Sequence, residues 1–275
     1  MAEGFLPPDR PRDPAPEGRY VAGVVITVLA VVSQYFVPSL VPASLVLYGN
    51  LPGDLFVVYG IPVLSFAVLV GGAPLRDWSK RMGTASWEGL RWYGLLSLLA
   101  LVVVLALAIV YEFVDPAALQ YLSRPNPALT QAAANPWFYV GLSFVVGAFE
   151  ETIFRGWIFG YWRDRGGSWL VPAAWTSAIF AGVHLYYGFT YGPAAPLIFP
   201  TLFLLGFSFA ATYRYSGGNL VLPALLHGEN DASAYLTLIN TEIGAIVHYA
   251  VILVGGLLGL IAYLRADGPA RGAPG

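Results

Sequence analysis

The 275-residue sequence contains no cysteine. Disulfides, thiolate metal ligands, iron–sulfur clusters and a cysteine nucleophile are therefore excluded. Charge is nearly as scarce: Asp, Glu, Lys and Arg make up 11% of the chain, against about 25% in a soluble domain. There is one lysine, Lys80, and only three histidines, His184, His227 and His248. A net charge of −2 offers no basic field, so no nucleic-acid partner is expected. What fills the chain instead is apolar, with 57% Ala, Val, Ile, Leu, Met, Phe, Trp and Tyr. A water-soluble particle could not clothe that much apolar surface with so few charges. A lipid bilayer could, because lipid solvates an apolar exterior.

Eight stretches approach the ~20 apolar residues that a transmembrane helix needs. They are Tyr20–Val37, Leu55–Gly72, Trp92–Tyr111, Trp137–Trp162, Trp169–Tyr187, Pro196–Tyr213, Asn219–Asn240 and Ile243–Leu264. Backbone polar groups in lipid must be satisfied within the segment, and these runs lack the alternation of barrel strands. The expected fold is thus an all-α, polytopic membrane protein of about eight transmembrane helices, with its site inside the bundle. Asn135-Pro136 reads as the cap and first position of the fourth helix. Pro62, Pro200 and Pro223 are candidate kinks. With the N-terminus inside, every Lys and Arg except Arg124 and Arg155 falls in a cytoplasmic segment. That asymmetry is the positive-inside pattern, so both termini are expected to be cytoplasmic at the cell membrane.

Residues 1–19, rich in proline and charge, are expected to be a disordered tail. Residues 20–264 form the membrane domain, and 265–275 a short cytoplasmic tail. The first span reads as an anchor rather than a cleaved signal. Arg76–Arg91 mixes Trp78 and Trp87 with basic residues and is expected at the inner membrane surface. Gly156-x-x-x-Gly160 and Gly255-x-x-x-Gly259 are weak candidates for close helix packing.

Ionisable side chains inside membrane spans are costly and mark function. Seven of them, Glu150, Glu151, Arg155, His184, His227, Glu229 and Asp231, fall on the fourth, fifth and seventh spans. His248 stands alone on the eighth and reads as a packing or interfacial residue. Glu151 and Arg155, four apart, share a face and can pair. Glu150 is rotated about 100° from Glu151. Without an obvious local cation, it is the better candidate for a general base. His227 and Asp231 also share a face, with Asn230 beside them. That spacing suits a carboxylate orienting an imidazole, or two ligands converging on one ion or water. At about 1.5 Å per residue, these groups lie at compatible depths, in a pocket near the midplane that opens to the cytoplasm.

Three motifs carry a resemblance over roughly residues 136–240: Glu150-Glu151-x-x-x-Arg155, Phe180-x-x-x-His184 and His227-x-x-x-Asp231. Together with Phe154-Arg155-Gly156 and Gly218-Asn219-Leu220-x-x-Pro223-x-x-x-His227, they resemble the CAAX-processing and bacteriocin-processing (CPBP, or Abi) intramembrane proteases, including type II CAAX prenyl endopeptidases. The resemblance implies peptide hydrolysis inside the membrane, on a hydrophobic or membrane-associated protein substrate. It implies that Glu150, assisted by His184, activates water. It implies that His227 and Asp231 stabilise the oxyanion or help to hold a metal, with Glu151, Arg155 and Asn230 in support. The family's usual Asn at the last position is here Asp231, with Asn230 adjacent.

Zinc stays open. Glu150, His184 and His227 would leave a fourth position for water, but Glu150 cannot easily be both ligand and sole base. Glu151 could replace it as base, although its Arg155 partner argues against that. No organic cofactor is expected. Two other readings remain: a transporter or proton relay built from the same groups, and a non-catalytic immunity or scaffold protein.

Overall fold

The computed structural model describes residues 16–40, 53, 55–75, 98, 99, 102, 106, 134–164, 169–185, 195–215, 218–240 and 247. The expected spans Trp92–Tyr111 and Ile243–Leu264 lie almost wholly outside the described residues, as do His248, Arg76–Arg91, residues 1–15 and the C-terminal tail. Among the described residues there is no strand.

Helix α1 covers Glu17–Leu40. It begins inside the segment expected as tail: Pro16 O accepts from the amides of Arg19 and Tyr20, and the carboxylate of Glu17 suits a helix N-terminus. A π-helical turn, Phe56–Gly60, then runs into α2, Ile61–Leu69. Pro62 lacks an amide donor just past that wide turn. Gly71, at φ 110°, ends the unit, a backbone conformation that a side chain would oppose.

The next helix is continuous but changes its winding. It consists of α3, Pro136–Glu151, a π-helical stretch, Thr152–Phe159, and α4, Gly160–Asp164. Asn135 caps it as expected, its side chain accepting from the amide of Phe138. The π winding is absent from the apolar pattern. Such winding is rare and concentrates at functional sites; here it begins directly after Glu150 and Glu151.

Three helices follow: α5, Leu170–Val183, α6, Ala195–Tyr215, and α7, Val221–Leu236. Gly218, at φ 83°, donates its amide to Tyr213 O and closes α6. Asn219 Oδ1 accepts from the amide of Val221 and opens α7. Among the described residues one helix, Pro136–Trp162, is long and apolar enough to cross a membrane, while Phe56–Leu69 and Leu170–Val183 are apolar but shorter.

The most extensive packing joins α3 to α7. It depends on two glycines that the sequence motifs did not single out. A Cβ on Gly147 would lie 2.8 Å from Gly228 N and 2.9 Å from Ala224 O, and one on Gly228 would lie 2.7 Å from Phe144 Cα. These neighbours are backbone and cannot rotate away. Gly147→Ala is therefore expected to destabilise the protein by about 1–3 kcal/mol through overpacking, read as a lowered thermal midpoint in detergent; a parental midpoint would contradict it. Gly156 instead meets Pro74, and Gly160 has only an ordinary contact, so that pair is no helix seam.

The N-terminal helices pack against the π-helical stretch and α4. Phe66 stacks on Trp157 at 5.5 Å, and Tyr20 on Tyr161 at 3.9 Å. Trp157 Nε1 donates to Gly71 O at 2.8 Å, and Trp162 Nε1 to the Tyr20 hydroxyl at 3.0 Å.

Candidate active site

Glu150 and Glu151 end α3, and both are buried. Their neighbours differ as helix geometry requires. Glu151 faces Arg155: Nη1 donates to Glu151 Oε1 at 2.7 Å, and neither side chain touches solvent. Arg155 Nη2 donates to Gly206 O on α6, also at 2.7 Å. The guanidinium lies 5.0 Å from the ring centre of Phe180 and 5.2 Å from that of Phe209, within cation–π range. Gly206 admits this approach, because a Cβ there would stand 3.3 Å from Nη2. A charge that would be costly alone is thus held by a carboxylate, a carbonyl and two rings.

His227, on α7, joins the same carboxylate. Its Nδ1 lies 2.8 Å from Glu151 Oε1, and its ring stacks on Phe209 at 4.9 Å. The His227/Asp231 spacing did not foretell this contact. The residue that orients the imidazole is Glu151, reached across the α3–α7 packing, whereas Asp231 Oδ2 stands 3.6 Å from the opposite nitrogen, Nε2. Asn230 is buried, and its Nδ2 donates to Asp231 Oδ1 at 3.2 Å. Asp231 is the member of that pair next to the cluster.

His184 also departs from expectation. It lies not within the fifth helix but at its C-cap, with φ −99° and ψ 4°. Its Nδ1 is 2.7 Å from Phe180 O. A carbonyl only accepts, so Nδ1 carries the hydrogen and Nε2 is presented onward. The shortened helix is what frees the ring to swing back over its own last turn.

Glu150 stands where these groups meet. Oε2 is 3.6 Å from His227 Nε2 and 3.9 Å from His184 Nε2. It is buried and accepts no hydrogen bond among the described residues. Oε1 accepts from the Tyr59 hydroxyl at 3.0 Å. Tyr59, Phe209 and Gly206 had no signal in the sequence, since they are ordinary members of apolar runs and gain a role only through packing. Exposure rises across the cluster, from 3% for the His227 side chain to 15% for His184 and 29% for Asp231. The open edge is therefore on the His184–Asp231 side.

The metal reading can be tested on the donors. Around a tetrahedral zinc, ligands about 2.0–2.1 Å from the ion would stand roughly 3.3 Å apart. The separations of 3.6 and 3.9 Å are wider. Among the described residues no group of three or more His, Cys, Asp or Glu is arranged to hold a metal ion.

These residues fall in a segment, 132–233, that matches the family model described as type II CAAX prenyl endopeptidase Rce1-like. That family comprises membrane-embedded endopeptidases of the CAAX protease type. No curated protein and no solved structure matches the chain. The Rce1-like match contains α3, α5, α6 and nearly all of α7; Tyr59 lies outside it.

Proposed function

We propose that this protein is an intramembrane endopeptidase that hydrolyses a peptide bond in a membrane-associated, prenylated CAAX-type substrate. The reading rests on Glu150 Oε2, a buried oxygen aimed at two imidazole nitrogens and accepting no hydrogen bond among the described residues. Buried acceptors of that kind call for an explanation. A reacting water between Glu150 Oε2 and His184 Nε2 supplies one.

In this mechanism water enters from the His184–Asp231 edge and donates to both acceptors. Glu150 takes the proton as the water oxygen bonds to the scissile carbonyl carbon. His227, protonated on Nε2, faces the developing oxyanion, and Asp231 supports the charge on that ring. Asp231 as a carboxylate has no hydrogen to offer the oxyanion itself. When the C–N bond breaks, Glu150 passes that proton to the leaving amine. Glu151 and Arg155 hold His227 in place throughout. We place this site in an eight-helix membrane domain with both termini cytoplasmic, a topology supported by the positive-inside pattern. The substrate then approaches along the bilayer.

The test is cleavage of a quenched-fluorescent peptide ending in a farnesylated CAAX tetrapeptide by the full chain in liposomes, with products identified by mass spectrometry. Release of the C-terminal tripeptide is expected. Activity is expected to survive exhaustive chelation, and metal analysis of the active protein to find less than one zinc per chain. Loss of activity on chelation, restored by zinc, would overturn the metal-free mechanism. Ion flux with no cleavage of any peptide would overturn the protease reading.

A further inference from the structure

We propose that Tyr59 is a positioning residue for Glu150, so that the N-terminal helix pair belongs to the hydrolytic apparatus rather than serving as an anchor alone. This rests on the hydrolytic reading of Glu150 given above.

Three observations converge on it. The Tyr59 hydroxyl donates to Glu150 Oε1 at 3.0 Å. Its ring lies over Phe149, with centres 5.8 Å apart and planes 16° from parallel, which limits where the hydroxyl can go. The unit that carries it is bound to the helix bearing Glu150 at two further points, the Phe66–Trp157 stack and the Trp157–Gly71 hydrogen bond. A carboxylate has two oxygens and turns easily about its last bond. A donor fixed on Oε1 removes that freedom and leaves Oε2 directed at His184 and His227. Tyr59 also sits in one of the two π-helical segments among the described residues, and Glu150 lies two residues before the other. Both unusual windings therefore flank the same hydrogen bond.

The experiment uses the full chain in liposomes and the farnesylated CAAX peptide. Tyr59→Phe removes the hydroxyl and keeps the ring. The expected result is a kcat lowered about 10-fold or more, in line with a lost hydrogen bond to a charged group. KM should stay within about twofold, since ground-state binding is not what is removed, and the thermal midpoint should fall less than that of the structural control, because one donor is lost but no packing. Phe207→Leu serves as the structural control. It loosens a separate core cluster, where Phe207 packs on Trp169, and is expected to lower the midpoint while the folded protein keeps its kcat.

Parental kcat in Tyr59→Phe would overturn the inference. So would a raised KM at unchanged kcat, which would make Tyr59 a substrate contact. Equal losses of kcat and midpoint in both variants would also overturn it. Glu150→Gln, run alongside, separates the two levels. If Glu150→Gln cleaves normally, the hydrolytic reading itself fails. If it is inactive and Tyr59→Phe is normal, only the role of Tyr59 fails.

Discussion

Glu150→Gln is expected to lower turnover of the prenylated peptide by about 10²- to 10⁴-fold, the usual worth of a positioned general base, with the protein still folded. Gln has nearly the volume of Glu, and its carbonyl oxygen can still accept from Tyr59. What changes is the other atom. A nitrogen donor replaces the oxygen that stands 3.6 Å from His227 Nε2 and 3.9 Å from His184 Nε2. Such a group cannot take a proton from water. Because the substitution touches the reacting centre and little else, KM and thermal midpoint should move far less than kcat. Rates measured in liposomes decide the matter. A Glu150→Gln protein within tenfold of the parent would remove Glu150 from the chemistry.

Arg155→Met carries the largest expected effect on stability. Removing one partner of a buried ion pair typically costs about 3–5 kcal/mol, because the other charge is left uncompensated. Arg155 and Glu151 are both fully buried. Loss of the guanidinium would also strip Gly206 O of its donor and open a gap between Phe180 and Phe209. The expected result is a large drop in stability on unfolding in mixed detergent micelles. Cleavage should fall as well, since Glu151 would hold His227 with one support gone. A parental unfolding curve would show that the pair is not structural.

The features legible in the sequence are those set by the period of a single helix. The Glu151–Arg155 pair, the closeness of His227 to Asp231 and the Asn135 cap all follow from spacing, and the structure contains each of them. That Glu150 faces away from the Arg155 side of Glu151 was readable in the same way. What was not legible depends on how helices meet. The contact of Glu151 with His227 spans 76 residues, and that of Tyr59 with Glu150 spans 91. No helical wheel contains them. The π winding of Thr152–Phe159 was hidden because Arg155 is the one charged residue within it, too few marked positions to reveal a change of period. The end of α5 at Val183 was hidden for a related reason: Val183 to Tyr187 reads as uninterrupted apolar chain apart from the imidazole that caps the helix.

The glycine contact between α3 and α7 has a consequence for the reaction itself. Gly147 lies one turn before Glu150 and Glu151, and Gly228 is the neighbour of His227. Main chain rests on main chain at this point, with no side-chain torsions between the two halves of the site. The spacing of the two backbones that carry Glu150 and His227 is therefore set by main-chain contact. A site gauged in this way has little reorganisation left to perform when charge develops on the substrate, and low reorganisation is where electrostatic catalysis gains most of its advantage over water.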